Sequence, residues 1–268
     1  MMQYVIQACC VVMAAMTGCH AAEVDCWPSV LDSFDSFTRE FNRYDWVAID
    51  WSDSKVEAAR SKLRSSAYEC LDEKRFRISQ PEIPGEAIYA ITLLDVAIVS
   101  NDSRLTGSMM ARFEDELSQG NDVVGLASLG SSLHLAASFE SDEAAHTLLQ
   151  LGVDPNAQDD YGFMPLHAAS GRGQSGLRLI TALVRSGADV NELGPGVTPI
   201  ELARRTGDLN RAQCLFLLGA TIPEMSPPPR YPAPFREDQG ELIIQVDAFL
   251  SAEVKEIPES TSGICSLP

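Results

Sequence analysis

Residues 164–169 read Met-Pro-Leu-His-Ala-Ala, and after a helical stretch residues 187–191 read Gly-Ala-Asp-Val-Asn. Related versions of this pattern start at Ser131 and Thr198. The starts at 131, 164 and 198 are therefore 33 and 34 residues apart. A repeat of this length is the signature of stacked helical units. A weaker copy covers residues 92–122, and its longer spacing predicts an insertion near residues 126–130.

The residue types within each copy fit a pair of short helices followed by a turn. Pro165 and Pro199 suit the first turn of a helix, because the missing N–H has no helical partner there. Gly152, Gly187 and Gly219 suit the left-handed residue that ends a second helix. Because no single copy can bury its apolar face alone, we expect stacking of the copies to supply the core.

Period, turn prolines and closing glycines together resemble the ankyrin repeats over about residues 91–221, roughly half of the chain. The resemblance implies a mostly α-helical solenoid of about four repeats, in which His134 and His167 fasten neighbouring loops by hydrogen bonds. It also implies protein binding through the hairpin tips and the concave face. The expected partner contacts are Asp159, Asp160, Tyr161, Phe163, Glu192, Phe139, Arg172 and Arg205.

The rest of the chain divides into three further regions. These are a signal peptide at residues 1–18, a helical N-terminal region at 19–90, and a Pro-rich strap and tail at 222–268. In the N-terminal region a set of aromatic and apolar residues recurs at helical spacing, which predicts a buried face. Its members are Leu31, Phe34, Phe37, Phe41 and Tyr44. Asp53 is suited to cap a second helix, and residues 241–246 are compatible with a strand.

The N-terminal 19 residues resemble a bacterial export signal. Residues 4–16 are uncharged and mostly apolar, and they run into Met16-Thr17-Gly18-Cys19. This resembles the lipobox, which implies lipidation of Cys19 and, because His20 follows, an outer-membrane lipoprotein facing the periplasm. A methionine stands where leucine is commoner, and no basic residue precedes the apolar run. Ordinary cleavage near residue 21 or 22, or an uncleaved anchor, are the alternatives.

Four cysteines follow the lipobox, namely Cys26, Cys70, Cys214 and Cys265. An even number in an oxidising compartment favours one or two disulfides. Three full pairings are possible, and spacing does not choose between them. The chain has no Cys-x-x-Cys pattern, which argues against a zinc knuckle or a thioredoxin-type site.

The charge of the chain is strongly one-sided. It has 20 Lys and Arg against 38 Asp and Glu, a formal net charge of −18. Such a surface repels nucleic-acid phosphates and anionic lipid head groups. We therefore expect no nucleic-acid partner, and membrane contact only through the N-terminal lipid. A cationic protein is the favoured partner, and solubility alone is the alternative explanation.

Two patterns in the sequence could indicate a cofactor site or a metal site. Residues 171–176, Gly-Arg-Gly-Gln-Ser-Gly, match the dinucleotide fingerprint, but they join two predicted helices where that site needs a strand first. His134 and His167 lie one repeat apart, too far for one zinc ion with nitrogen ligands at about 2 Å. No nucleophile, base and orienting group can be assembled. The sequence therefore predicts no cofactor, no metal and no catalytic residues.

Together these features predict a non-enzymatic protein-binding module outside the cytoplasm. The specific hypothesis is a periplasmic immunity or inhibitor lipoprotein that occupies a toxin or an enzyme. One alternative is an envelope scaffold or stress-protection factor. The other is an enzyme whose site lies in residues 23–90.

Overall fold

The described part of the chain is mostly helical. A computed structural model covers the chain and describes residues 26–41, 53–71, 77–79, 90–118, 132–171, 176–222, 239–252 and 256–265. Several predicted features lie outside the described residues. They are the predicted signal peptide, Cys19, Tyr44, the predicted insertion near 126–130, Arg172 and the Pro-rich stretch at 223–238. Among the described helices, none is both long and apolar enough to span a bilayer.

The described residues of the N-terminal region include two helices and a short strand. Helix α1 (Trp27–Phe41) packs against α2 (Ser54–Glu69). As predicted, the Asp53 carboxylate caps α2, accepting the Lys55 N–H at 2.9 Å. Strand β1 (Arg77–Ser79) pairs antiparallel with β2 (Ala90–Thr92), a feature that the sequence did not predict.

The predicted aromatic face of α1 is buried where the structure describes it. Phe34 and Phe37 are in the core with Trp27, and Leu31 is half-buried. On α2, Leu63 and Ala67, which is one helical turn further on, lie in the same core. The N-terminal region therefore shares one hydrophobic core with the repeats that follow.

Helix pairs follow one another along the repeat region. They are α3 (Leu93–Val99) with α4 (Ser103–Ser118), α5 (Ser132–Ser138) with α6 (Asp142–Gln150), α7 (Pro165–Ser170) with α8 (Leu177–Arg185), and α9 (Pro199–Thr206) with α10 (Leu209–Leu217). The first helices of successive pairs pack together in one row, and the second helices pack in another. The described residues thus contain four helix pairs stacked in a line.

The local signals for helix starts and stops are confirmed. Pro165 and Pro199 occupy the first turn of α7 and α9. Gly152, Gly187 and Gly219 follow α6, α8 and α10 with φ of 85°, 100° and 98°, a conformation that strains residues with a Cβ. Each therefore ends its helix and turns the chain toward the next pair.

The core of the stack is built from leucines and alanines at equivalent positions. Small alanines allow the two helices of a pair to approach closely, while leucines fill the seams between pairs, and all are essentially inaccessible to solvent. They include Leu133, Ala136, Ala137, Leu148, Leu166, Ala169, Leu183, Ala203 and Leu215.

Two further helices cover the last pair. Helix α11 (Gln239–Ser251) packs on α9 and α10, and α12 (Glu259–Cys265) packs on α10 and α8. The strand considered for residues 241–246 is wrong, because these residues lie within α11. Val246, Phe249 and Leu250 are buried at steps of three and four residues, which is helical spacing.

Disulfides reinforce both ends of the array. Cys26 is bonded to Cys70, which joins the start of α1 to the end of α2. Cys214 is bonded to Cys265, which fastens α12 to α10. The spacing left three pairings open. In the observed one, each disulfide joins two neighbouring cysteines, with one disulfide at either end of the fold.

Candidate functional site

Two hairpin segments connect the central helix pairs along one edge of the array. Residues 151–164 link α6 to α7, and residues 186–198 link α8 to α9. Three acidic residues lie in the first segment and two in the second, and neither segment contains Lys or Arg. The five are Asp154, Asp159, Asp160, Asp189 and Glu192. This edge therefore has a uniformly negative charge.

Asparagine side chains hold successive hairpins together. The Asn156 Nδ2 donates to the Gly187 carbonyl at 2.8 Å, and its Oδ1 accepts the Asp189 N–H at 2.9 Å. One repeat further on, Asn191 Oδ1 accepts the Thr221 N–H at 2.7 Å. The side chain at this repeat position thus fixes the spacing of neighbouring hairpins. The sequence pattern contained both asparagines, but their role was not predicted.

The predicted role of the two repeat histidines is confirmed. His134 Nε2 lies 2.8 Å from the Phe163 carbonyl oxygen, one repeat further on. His167 Nε2 lies 3.1 Å from the Val197 carbonyl oxygen. Met164 N–H donates to the Nδ1 of His167 at 3.3 Å, and the Gly194 N–H lies 3.2 Å from its Nε2. Each histidine fastens the next hairpin tip to the helix below it.

Burial lowers the pKa of both His134 and His167 below the ordinary value. An unfolded histidine titrates near pH 6.5, so below that pH the unfolded chain binds more protons than the folded one. Stability should therefore fall as the pH drops from about 6.5 toward the folded pKa values. Burial raises the pKa of Asp142 and Asp208, which acts in the opposite sense.

Denaturant unfolding at pH 7.5 and 5.5 tests the contribution of the histidines. The free energy of unfolding should fall less between these pH values in His167→Gln than in the wild type. Substitution of the exposed His146 should leave the loss unchanged, and equal losses in all three proteins would contradict this explanation.

The first hairpin tip presents a tyrosine to solvent. Asp159 Oδ1 accepts the N–H groups of Tyr161 and Phe163 at 2.9 and 2.8 Å, and the Asp159 N–H donates to the Phe163 carbonyl at 2.8 Å. Asp159 therefore stabilises the conformation of the tip by hydrogen bonds and also contributes a negative charge. Asp160 points into solvent, and Tyr161 is 73% exposed, the largest value among the exposed large apolar side chains of the described residues.

The other predicted contacts on this edge are less exposed. Phe163 is half-buried, with its ring centroid 5.7 Å from that of His167. Glu192 is partly exposed in the second hairpin segment. Arg205 lies on α9, where its Nε donates to the Glu201 carboxylate at 3.1 Å. The structure thus brings Asp159, Tyr161 and Phe163 together in one tip, and it places Glu192 in the next hairpin and Arg205 on a helix.

The prediction of Phe139 as a partner contact is wrong. Phe139 is 8% exposed, and its ring centroid lies 6.1 Å from that of Phe37 on α1. The sequence could not reveal this burial, because it comes from packing of the N-terminal region onto the turn between α5 and α6. Phe139 therefore contributes to the core that joins the N-terminal region to the repeats.

A leucine in the second hairpin was missed. Leu193 is 65% exposed and immediately follows Glu192, in the segment beside the Tyr161 tip. The only signal in the sequence was an apolar residue between an acidic residue and Gly194 in a turn. Scattered apolar residues are common on surfaces, so the sequence alone gave no reason to single it out.

A buried ion pair connects helix pairs that are not neighbours. Glu140, in the turn between α5 and α6, accepts the Arg211 Nη2 of α10 at 2.6 Å and the Gly176 N–H at 3.1 Å. The Glu140 and Arg211 side chains are 3% and 1% exposed. A Cβ on Gly176 would lie 2.8 Å from Arg211 Nη2, so any other residue at 176 would displace the guanidinium from this position. The pair spans the α7–α8 unit and ties three helix pairs together.

Arginines of α2 cover the start of the array. Arg60 Nε donates to the Val99 carbonyl at 3.3 Å, and its Nη2 also donates to the Phe139 carbonyl. Arg64 Nη1 donates to the Ser100 carbonyl at 3.0 Å. Burial lowers the pKa of Arg60 to about 10. The two guanidinium groups hydrogen-bond carbonyls at the C-terminal ends of α3 and α5, where no helical N–H is available. Helix α2 therefore acts as a cap for the repeats.

The glycine-rich stretch at 171–176 and the two repeat histidines are the motifs that resemble a cofactor site and a metal site. Residues 171–176 come after helix α7 and before helix α8, without the strand that a dinucleotide-binding turn requires; residues 172–175 lie outside the described part. Within the described ranges, no group of three or more His, Cys, Asp or Glu side chains is placed to hold a metal ion.

Comparison with protein families identifies the central repeats. A family model described as ankyrin repeats (many copies) matches residues 133–184, which run from α5 into α8. The predicted resemblance to ankyrin repeats is confirmed over that stretch. The matched region includes the first hairpin segment with the Tyr161 tip.

Two Notch proteins are similar to part of this chain. The Neurogenic locus Notch protein of Drosophila melanogaster is 41% identical over 187 residues, which covers 63% of this chain and 7% of the Notch protein. The Neurogenic locus notch homolog protein 2 of Homo sapiens is 40% identical over 74 residues, or 28% of this chain and 3% of that protein. The chain thus spans only a small fraction of the length of these relatives.

Proposed function

We propose that this chain is a protein-binding module that works outside the cytoplasm and holds a cationic protein across its hairpin tips. The observation that carries the proposal is the Tyr161 tip, where a 73% exposed aromatic side chain stands on an edge with five carboxylates and no Lys or Arg. Tyrosine is among the residue types that most often dominate binding energy at protein interfaces.

Charge and aromatic contact have separable effects on binding. The carboxylates of the hairpin segments, with the net charge of −18, attract a cationic partner and speed its encounter. A tyrosine buried in the complex chiefly slows dissociation. This combination suits a tight complex formed quickly at low concentration.

The cysteines support a location in an oxidising compartment. Both pairs, Cys26–Cys70 and Cys214–Cys265, form disulfides, and such bonds persist mainly in exported proteins. The lipobox resemblance at residues 16–19 agrees with this location. On this proposal Cys19 carries lipid, and the protein is anchored in the outer membrane and faces the periplasm.

Metabolic labelling with radioactive palmitate tests the anchor. The wild-type protein should incorporate label, and Cys19→Ala should not, because the thiol is the group that receives the lipid. A Cys26→Ala variant serves as the matched control and should remain labelled. An unlabelled wild type whose mature N-terminus is Ala22 or Glu23 would contradict lipidation and leave secretion alone.

The specific role that we propose is inhibition of, or immunity to, a toxin or enzyme. The array is short and closed by helices and disulfides at both ends, which suits a rigid surface that occupies one partner. An envelope scaffold with the same surface would bind its partner without changing the partner's activity. The distinction therefore depends on an activity measurement on the complex.

Affinity capture from envelope extracts tests the function. The tagged wild-type chain should retain a protein of net positive charge, and retention should fall with Asp160→Asn combined with Tyr161→Ala. Tyr68→Ala, which removes an exposed tyrosine on α2, is the control and should retain the partner. An acidic partner, or capture unaffected by the tip substitutions, would contradict the proposal. A captured enzyme that stays fully active in the complex would favour the scaffold.

A further inference from the structure

We propose that Leu193 is a second anchor beside Tyr161, and that the partner presents two neighbouring apolar side chains framed by Lys or Arg. The surface concerned is called the tip ridge and consists of residues 159–163 and 192–196. This inference rests on the proposed function and specifies the chemistry of the partner that the same edge would take.

The two tips form one continuous surface. Gly162, with φ of 82°, lies against the side chain of Pro195, and a Cβ at Gly162 would be 3.6 Å from Pro195 Cγ. Tyr161 immediately precedes Gly162, and Leu193 lies two residues before Pro195. Helices packed in neighbouring repeats are about 8–10 Å apart, so one partner segment can reach both side chains.

Exposure singles out these two side chains. Among the exposed large apolar residues of the described ranges, Tyr161 at 73%, Ile244 at 67% and Leu193 at 65% are the most exposed. Ile244 lies on the terminal helix α11, whereas Tyr161 and Leu193 lie on adjoining tips. Isolated apolar residues on a surface need no explanation, but a neighbouring pair offers the central apolar contact that an interface requires.

Each anchor is immediately preceded by a carboxylate. Asp160 precedes Tyr161, and Glu192 precedes Leu193. A purely apolar partner would strip water from these carboxylates without pairing them, which is costly. A purely cationic partner would leave the tyrosine and the leucine in water. A segment with two apolar side chains and flanking cations satisfies both requirements.

The ends of the array are already covered. Helix α2 packs on α3, while α11 and α12 pack on the last helix pair. The Arg204 guanidinium of α9 pairs with Asp247 of α11 at 2.5 and 3.2 Å. A partner is therefore not needed to extend the stack, and the tip ridge is an apolar surface on the repeats between these covers.

Selection from a displayed library of random peptides tests the inference without knowledge of the natural partner. The full-length, oxidised chain is the target, and enriched peptides are measured against the wild type and single variants. Enriched peptides should have a net positive charge and at least two apolar residues. Leu193→Asp and Tyr161→Ala should each weaken their binding by about tenfold or more, which corresponds to about 1.4 kcal/mol. Leu151→Asp is the matched control, because Leu151 is an exposed leucine of the same hairpin region outside the ridge, and it should leave binding unchanged.

The outcomes separate this inference from the proposed function. Acidic or uncharged peptides, no enrichment, or equal effects of Leu193→Asp and Leu151→Asp would overturn the two-anchor ridge. Loss of binding with Tyr161→Ala but not with Leu193→Asp would also overturn it, while leaving the Tyr161 tip as a binding surface. Failure of the proposed function itself would appear as envelope capture that the tip substitutions do not affect. Unfolding midpoints equal to the wild type would show that each variant is folded.

Discussion

Glu140→Ala should lower the free energy of unfolding by about 3–5 kcal/mol, the usual result of removing one partner from a buried ion pair. The substitution leaves the Arg211 guanidinium, 1% exposed, without its carboxylate at 2.6 Å. Asp208 remains an ion-pair partner, with its Oδ2 3.6 Å from Arg211 Nε, but at that distance it supplies no hydrogen bond in place of the one that is lost. The Gly176 N–H at the start of α8 also loses its acceptor.

Denaturant unfolding of matched variants measures this effect. Glu143→Ala removes the same charge three residues away from an exposed position, and it should change stability by no more than about 0.5 kcal/mol. Combining Glu140→Ala with Arg211→Met should cost less than the sum of the two single substitutions, because the second removes the unpaired charge. Equal losses for Glu140→Ala and Glu143→Ala would contradict a stabilising role for the pair.

Removal of the Cys214–Cys265 disulfide should lower stability by about 4 kcal/mol, the loop-closure value for the 51-residue separation. Helix α12 has only seven residues, too few to be stable alone. The Thr181 hydroxyl of α8, which donates to the Leu177 carbonyl at 2.8 Å, also lies 3.3 Å from the Ile264 carbonyl of α12. Without the disulfide, α12 should detach from α8 and α10.

A variant with alanine at both Cys214 and Cys265 tests this result by unfolding and hydrogen exchange. Amides of residues 259–265 should lose protection, while those of α1, held by the intact Cys26–Cys70 bond, should keep it. The protected α1 serves as an internal control in the same molecule. Unchanged stability together with wild-type protection in α12 would contradict the proposed fastening.

Features set by neighbouring residues were predictable from the sequence. The repeat period, the helix-starting prolines at 165 and 199, and the left-handed glycine after α8 depend on local sterics and stacking, and the structure contains them where the pattern placed them. The histidine contacts were also predicted, because the resemblance to the ankyrin repeats implies them. Residues 241–246 were ambiguous, since a short apolar run fits a strand or a buried helix.

Features set by distant residues were not predictable. Glu140 and Arg211 are 71 residues apart, and neither stands out in the repeat pattern. The disulfide pairing depends on α1, α2, α10 and α12 reaching their final positions. Burial of Phe139 likewise depends on α1. In each case packing between separate elements, and not local preference, decides the contact.

The candidate surface was foreseen only in part. The exposed tyrosine in an acidic tip followed from the resemblance, but the role of Asp159 in folding that tip required its hydrogen bonds to Tyr161 and Phe163. The sequence did not single out Leu193, because its exposure and its position beside the Tyr161 tip are visible only in the structure. Substitution of Asp160, which points into solvent, is therefore a cleaner test of charge than substitution of Asp159.

The dissociation rate of the captured partner tests binding through the Tyr161 tip most directly. For Tyr161→Ala we expect this rate to rise by about 30-fold, equivalent to the loss of about 2 kcal/mol that marks a dominant interface residue. Asp160→Asn should instead lower the association rate and weaken its salt dependence. Tyr68→Ala should dissociate like the wild type. If Tyr161→Ala and Tyr68→Ala dissociate at the same rate, the partner binds elsewhere and the account is wrong.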